Sequence, residues 1–177
     1  MHIPIAQPSL GNEESDAVLT VLASGMIAQG PVTAAFEEEF AAYCGIPHAV
    51  AVSNGTTALH AALLATGVGP GDEVVVPAFT FFATASSVSM CRARPVFADV
   101  EPATATIDPA DVLAKVSPKT KAVIGVHLYG QPCDAGAIRD ICNDKGLVFI
   151  EDAAQAHGAT YQGKKTGSLG DLACFSF

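Results

Sequence analysis

Short apolar, β-branched runs alternate along the chain with segments whose apolar residues recur at helical spacing. Several of these runs are nearly continuous hydrophobic stretches, as expected for strands that are buried on both faces of a sheet. Strand–helix alternation of this kind predicts an α/β fold with a mainly parallel central sheet. Helices on both faces would make it a three-layer α/β/α domain.

The predicted elements have the following bounds. Strands are predicted over residues 49–53, 73–77, 95–100, 122–127, 147–151 and 172–177. Helices are predicted over residues 13–24, 33–43, 56–66, 82–91, 109–116 and 135–145. Asp108-Pro109 supplies an N-cap followed by proline at the first helical position. The chain stops at Phe177 on an apolar strand, so we expect a fragment of a larger domain.

Charge limits the classes of partner. The 177 residues carry 9 Lys+Arg against 18 Asp+Glu, a formal net charge of −9. A field of that sign argues against nucleic acid and acidic membranes as partners, because both need basic patches. An anionic ligand would therefore have to be held by local groups such as helix N-termini.

Cysteine usage and the chain's apolar runs indicate the compartment. The five cysteines form no C-x-x-C pair, and their odd number fits a disulfide framework poorly, so we expect buried free thiols in a reducing compartment. Residues 1–10 lack the features of a signal peptide, and no apolar stretch has the length of a membrane span. The histidines show no metal-ligand spacing. We therefore expect a soluble, cytoplasmic protein.

The first candidate site lies at residues 53–60, where a predicted strand meets a helix. Gly55 permits a tight turn there, and the hydroxyls of Thr56 and Thr57 follow at the helix N-terminus. Backbone N–H groups in this position bind phosphate. The segment is neither a Walker A loop nor a G-x-G-x-x-G fingerprint. The alternative is an ordinary N-capped core helix.

The second candidate is Asp152, which follows an apolar strand. Ligands of open α/β sheets bind at the carboxyl ends of strands. A carboxylate that leaves a buried strand needs a cationic or hydrogen-donating partner, or its pKa rises. The alternative is an aspartate that serves as an N-cap or an ion-pair member.

Two further segments end predicted strands with unusual residues. Phe81 lies among three aromatic residues and is a candidate face for a flat heteroaromatic ring. The alternative for its neighbours Phe79 and Phe82 is burial in the core. Ser176 interrupts an apolar strand, and a buried hydroxyl needs a partner.

The order and spacing of these segments resemble the DegT-type nucleotide-sugar aminotransferases. These are pyridoxal-phosphate (PLP) enzymes of the aspartate-aminotransferase fold, fold type I. The resemblance runs from Ile3 to Phe177 and rests on Ile3-Pro4 and on residues 24–31, 69–74, 126–131, 151–158 and 167–177.

The resemblance implies roles for individual residues. Gly55, Thr56, Thr57 and Ser176 match the positions that hold the cofactor phosphate in that family. Phe81 matches the aromatic residue that stacks on the pyridine ring. Asp152 matches the carboxylate that pairs with the pyridine nitrogen, which keeps the ring an electron sink. Gln155 matches the residue beside the ring hydroxyl.

The resemblance also implies the reaction, its partners and a departure from the family pattern. The expected substrate is a keto-sugar, nucleotide-linked, with Glu or Gln as the amino donor and pyridoxamine phosphate (PMP) as the aminated cofactor. Homodimers are expected. The family's catalytic lysine falls a few residues after the Phe-Ser-Phe segment, beyond Phe177. Residues 1–177 therefore read as an incomplete PLP-binding large domain, without the small C-terminal domain and inactive alone.

Other functions stay open at this point. Some relatives on the same scaffold replace the lysine by histidine and act as sugar dehydratases, whereas others aminate an inosose or form an aromatic amino acid. A non-catalytic dimerisation or binding module is the alternative if the chain is complete.

Overall fold

A computed structural model describes residues 7–177, so the Ile3-Pro4 dipeptide lies outside the described residues. The helices are α1 Asn12–Ser24, α2 Pro31–Cys44, α3 Gly55–Ala65, α4 Phe82–Met90, α5 Pro109–Lys115 and α6 Ala135–Lys145. The strands are β1 Glu73–Pro77, β2 Arg94–Ala98, β3 Thr120–Val126, β4 Val148–Asp152, β5 Thr160–Tyr161, β6 Lys164–Lys165 and β7 Leu172–Cys174. A short 3₁₀ helix spans Leu128–Gly130.

The central sheet has five strands in the order β2-β1-β3-β4-β7, and every neighbouring pair is parallel. The chain moves from β1 to β2 on one side and then returns to β3 on the other. The switch point of the topology therefore lies between β1 and β3. A separate antiparallel hairpin, β5-β6, was not predicted.

Helices cover both faces of the sheet. Alternate residues of β1 enter different apolar clusters because successive side chains point to opposite faces. Val74 and Val76 pack with Leu63 of α3 and Val88 of α4. Val75 packs on the other face in the cluster built from α5 and α6, whose buried members include Val112, Ile138 and Cys142. The predicted three-layer α/β/α architecture with a parallel sheet is confirmed.

The predicted helices all form, with ends within two residues of the expected positions. The N-cap predicted for α5 also forms. Asp108 accepts the Ala110 N–H at 2.8 Å and Pro109 is the first residue of α5, as predicted. No helix in the described part of the chain is long and apolar enough to cross a membrane.

The strand predicted over residues 49–53 is wrong. The segment has no ladder partner among the described residues, and Val50 is 78% exposed. Side chains bind its backbone instead: the Ala51 N–H donates to Glu37 Oε1 at 2.7 Å, and Gln29 Nε2 lies 3.5 Å from the Ala51 carbonyl oxygen. An apolar run becomes a strand only where a neighbouring strand can pair with it.

The last predicted strand is shorter than expected, because β7 ends at Cys174. The residues that follow pack aromatic rings against α2 rather than extend the sheet. The Phe175 ring lies 4.9 Å from that of Phe40, and the Phe177 ring lies 5.3 Å from that of Phe36, both edge-to-face. These contacts carry Ser176 away from the sheet and towards α3.

Candidate active site

A cleft of about 220 Å³ opens at the carboxyl edge of the sheet, beside the topological switch point. Open α/β sheets bind their ligands at this place. The cleft is lined by the ends of four strands and by the first turns of α3 and α4: Gly55, Thr56, Leu59, Thr80, Phe81, Ala83, Val126, Leu128, Asp152, Ala154, Gln155, Cys174 and Ser176.

One end of the cleft is the N-terminus of α3. Asn54 caps this helix, since its Oδ1 accepts the Thr57 N–H at 2.8 Å and its carbonyl accepts the Ala58 N–H at 3.0 Å. In the described part of the chain, no protein group accepts the N–H of Gly55 or Thr56. These two donors face the cleft and suit an anion such as a phosphate group.

Ser176 lies directly against this helix end. A Cβ placed on Gly55 would be 2.9 Å from Ser176 Cβ and 3.3 Å from its Oγ. Only glycine leaves room for this contact, because real Cβ atoms do not come so close. The tight fit brings a hydroxyl from the end of the described chain beside the free N–H groups of α3.

Thr57 is not brought to the cleft wall. Its N–H is taken by Asn54, and its hydroxyl lies 3.1 Å from the hydroxyl of Ser53. The structure therefore gives no contact that supports the phosphate role predicted for Thr57.

Asp152 lies at the other side of the cleft, at the end of β4. It is 6% exposed, and its Oδ2 accepts the Thr84 hydroxyl at 2.7 Å. Its Oδ1 accepts the Ala154 N–H at 3.3 Å. Burial raises the pKa of Asp152, and the hydrogen bonds from Thr84 and Ala154 only partly oppose that effect. A cation at this carboxylate would stabilise its charged form.

Gln155 is held in one orientation at the cleft rim. Its Oε1 accepts the Tyr129 N–H at 2.9 Å. The amide NH₂ group therefore remains available as a donor to a ligand. Tyr129 itself has φ 53°, a conformation that is uncommon outside glycine and that is found at binding sites.

Phe81 lines the cleft and is 69% exposed, which leaves a ring face open to a flat ligand. The expectation that its neighbours belong to the core is wrong, because Phe79 is 50% exposed and Phe82 is 78% exposed. These aromatic residues follow a strand whose carboxyl end opens into the cleft, so no layer of the fold covers them.

Thr84 is a site residue that the sequence analysis missed. It is fully buried in α4 and is the side-chain donor to Asp152, while its hydroxyl also lies 2.9 Å from that of Thr80. The available signal is a threonine in the first turn of a predicted helix, four residues after another threonine. Only the packing of α4 against β4 reveals which carboxylate it serves.

The cleft therefore offers N–H groups that can bind an anion at the start of α3, a buried carboxylate at the end of β4, and an exposed aromatic ring after β1. These residues fit PLP, which combines a phosphate group, a flat heteroaromatic ring and a ring nitrogen that can carry a proton. The Gly55 cradle and the buried Asp152 carboxylate are the two features that the fit depends on.

Comparison with solved structures defines the class as the α/β fold of aminotransferases. A Streptococcus pneumoniae protein solved in a PLP form matches with a TM-score of 0.97 at 33% identity, covering 100% of this chain and 49% of that chain. Its PMP form matches with the same TM-score.

The family is shown by the sequence as well. The model of the DegT/DnrJ/EryC1/StrS aminotransferase family matches residues 8–177, and the chain belongs to this family. GDP-perosamine synthase of Caulobacter vibrioides is 51% identical over 99% of the chain and 48% of its own length. The dTDP-3-amino-3,4,6-trideoxy-alpha-D-glucose transaminase of Streptomyces venezuelae is 44% identical over 100% of the chain and 47% of its own length. The chain spans about half the length of the curated relatives it matches.

Proposed function

We propose that the whole protein containing this chain is a PLP-dependent aminotransferase, and that residues 7–177 supply most of its cofactor site. The acceptor is a nucleotide-linked keto-sugar, and Glu or Gln is the amino donor. The observation that carries the proposal is the buried Asp152 carboxylate, which shares one cleft with the N–H groups of Gly55 and Thr56 at the start of α3. The relatives support the substrate class, since their names describe aminated nucleotide-linked sugars.

Bound PLP supplies an electron sink while a proton is removed from the amino-bearing carbon of the substrate. Asp152 sustains that property by holding a proton on the pyridine nitrogen. Its burial makes this pairing strong, because a carboxylate with few donors in a low-dielectric site favours a cationic partner. Thr84 keeps the carboxylate oriented towards the cleft.

The remaining residues bind and orient the cofactor. Gly55 and Thr56 donate backbone N–H groups to the phosphate, and Ser176 adds a hydroxyl. Gln155 donates its amide to the ring oxygen, and Phe81 covers one face of the ring. The apolar side chains of Leu59, Val126 and Leu128 exclude water from the opposite wall.

The cleft lining in the described residues includes no lysine. We assign cofactor binding to residues 7–177 and the amino transfer itself to the whole protein.

Assembly and compartment are part of the same proposal. Phe79, Phe82 and Tyr129 are neighbours in sequence of the cleft-lining residues Phe81 and Leu128, and they are 50% to 78% exposed. Exposed aromatic side chains beside a site suit an interaction surface, and we assign these three to a homodimer interface. The five buried free thiols support a reducing compartment, for which we propose the cytoplasm.

The cofactor part can be tested on the 177-residue chain with PMP, which lacks an aldehyde and binds without a lysine. We expect saturable binding in a calorimetric titration, and we expect Asp152→Asn to weaken it at least about tenfold, or 1.4 kcal/mol. Asp140→Asn is the control, since Asp140 is exposed on α6, away from the cleft. Absence of PMP binding by the unmodified chain would refute the assignment of the site.

The reaction requires the whole protein. With ¹⁵N-labelled Glu or Gln, PLP and a nucleotide-linked keto-sugar, we expect the label to appear in the sugar by mass spectrometry. Loss of a sugar hydroxyl without gain of nitrogen would identify a dehydratase instead. If only an inosose or the precursor of an aromatic amino acid became labelled, the nucleotide-linked keto-sugar would be the wrong substrate class.

A further inference from the structure

Glu151 is a fully buried carboxylate that does not line the cleft. It precedes Asp152 on β4, and consecutive residues of a strand point to opposite faces of the sheet. Asp152 thus faces the cleft while Glu151 faces the layer that contains Phe149. A buried charge is costly unless hydrogen bonds satisfy it, so its partners need an explanation.

Four donors surround the Glu151 carboxylate. Oε1 accepts the N–H groups of Leu169 at 2.7 Å and Gly170 at 2.6 Å. Oε2 accepts the Gly167 N–H at 2.8 Å and lies 2.9 Å from His127 Nε2. Burial alone raises the pKa of Glu151, but these hydrogen bonds more than compensate and lower it overall.

The protonation of His127 follows from its second partner. The Cys133 N–H donates to His127 Nδ1 at 3.2 Å, so Nδ1 carries no proton. The proton is then on Nε2, which donates it to Glu151. His127 is a neutral bridge between the carboxylate and the backbone of the loop after β3.

Glu151 thereby connects the loop after β3 with the loop that precedes β7. The loop after β3 carries Leu128, which lines the cleft, and is tied to Glu151 through His127. The loop over residues 166–170 is tied through three backbone donors and leads into β7 and Ser176. β7 has only three residues, so its ladder to β4 is short. The Glu151 hydrogen bonds help to fix its position, together with Arg139, which binds the Leu169 carbonyl and Asp171.

The 166–170 loop is built around the carboxylate. Gly167 has φ +96°, and a Cβ on Gly170 would lie 2.8 Å from the Phe149 carbonyl oxygen and 3.0 Å from Glu151 Cγ. Larger residues at these two positions would push the loop away from its anchor.

We propose that Glu151 is a positioning residue for the cofactor site. It fixes the position of Leu128 in the cleft wall and, at the same time, the position of the phosphate-binding hydroxyl of Ser176. The inference rests on the proposed function for its ligand and on the hydrogen bonds above for its mechanism.

Glu151→Gln tests the role with little change in shape. A Gln amide has one acceptor oxygen and one NH₂ group, so a donor must meet another donor at Glu151's former Oε1 or Oε2. We expect the PMP dissociation constant of the 177-residue chain to rise at least about tenfold. His127→Leu removes only the link to the first loop, because leucine has no donor or acceptor, and should raise the dissociation constant less.

Glu73→Gln is the matched control. Glu73 is also a buried strand carboxylate, 5% exposed, with side-chain donors from Arg94 and Ser117. It lies at the start of β1, the opposite edge of the sheet from the cleft. This variant should lose stability in urea without a change of more than about threefold in PMP affinity. Equal loss of affinity in both folded variants would overturn the proposal, because Glu151 would then act only through global stability.

Amide hydrogen exchange gives a readout that needs no ligand. In Glu151→Gln we expect faster exchange at Leu169, Gly170 and Cys133 than in Glu73→Gln, at equal global stability. Unchanged exchange at these amides would contradict the anchor, even if the unmodified chain fails to bind PMP. That failure would instead count against the proposed function. If Glu151→Gln does not fold, His127→Leu carries the comparison at Cys133, and unchanged exchange there would contradict the link to the first loop.

Discussion

Replacing Gly55 by alanine tests whether Ser176 truly lies against the N-terminus of α3. Gly55 is the first residue of the helix and its φ is outside the left-handed region, so the backbone itself accepts alanine. The added methyl group would lie 2.9 Å from Ser176 Cβ and 3.4 Å from the Phe175 carbonyl oxygen. Either α3 or the segment after β7 must shift to make room for the methyl group. We expect residues 175–177 to shift, because they lie beyond the end of β7 and make no ladder hydrogen bonds.

The two effects on stability have opposite signs. Gly→Ala at a compatible position stabilises by about 0.4–1 kcal/mol, because the unfolded chain loses freedom. Overpacking costs about 1–3 kcal/mol. We expect a net loss of roughly 1 kcal/mol in the free energy of unfolding, or about 2–4 °C in Tm for a chain of this size. Displacing the Ser176 hydroxyl removes one hydrogen bond to an anion, worth about 1.5–3 kcal/mol, or at least about tenfold in PMP affinity.

Urea unfolding and PMP calorimetry measure both quantities on the same samples. Gly69→Ala is the matched control, since a Cβ there meets nothing within 4 Å and φ is again outside the left-handed region. We expect Gly69→Ala to be neutral or stabilising, with unchanged PMP affinity. If Gly55→Ala behaved like this control in both assays, the contact between Ser176 and α3 would be refuted.

The remaining predictions concern charge and backbone. Burial raises the pKa of Asp152, so the stability linked to its protonated form is lost as pH rises through that pKa. Ligand-free Asp152→Asn should therefore be at least as stable as the parent at pH 7. A lower urea midpoint for the variant would contradict this. Thr84→Val removes the donor to Asp152 and should raise the pKa of Asp152 further, seen as a shifted acid limb in the pH profile of PMP binding. The lowered pKa of Glu151 means that its contribution is lost as pH falls through that pKa, so Glu151→Gln should flatten the acid limb of a stability profile. Arg92 has φ 59° just after α4, so Arg92→Gly should stabilise by about 0.5–1 kcal/mol in thermal melts, and a decrease in Tm would count against that reading.

Local patterns were enough to predict most of the fold. The valine run of β1 is buried at every position, and α3, α5 and α6 begin at the capping residues Asn54, Asp108 and Asp134. Helix caps are local, because the capping side chain and the N–H that it accepts lie within three residues of each other, and a continuous apolar run can be read directly from the sequence. The strand prediction for residues 49–53 was wrong because a strand needs a neighbouring strand to pair with, and sequence periodicity does not show whether one is there.

For the candidate site, the sequence alone determined which residue types stand at the carboxyl ends of strands: Asp152 after β4, Phe81 after β1, and the Gly55 turn before α3. Only the tertiary structure decided which of them meet. The fold places Ser176 in contact with Gly55 and lets the Thr84 hydroxyl donate to Asp152. It leaves Thr57 outside the cleft lining, with its N–H bound to Asn54, and it brings two loops within hydrogen-bond distance of Glu151 or its partner His127. The physical reason is that a hydrogen bond or a close contact depends on distances of a few tenths of an ångström between residues far apart in the chain, and those distances are set by how the layers pack.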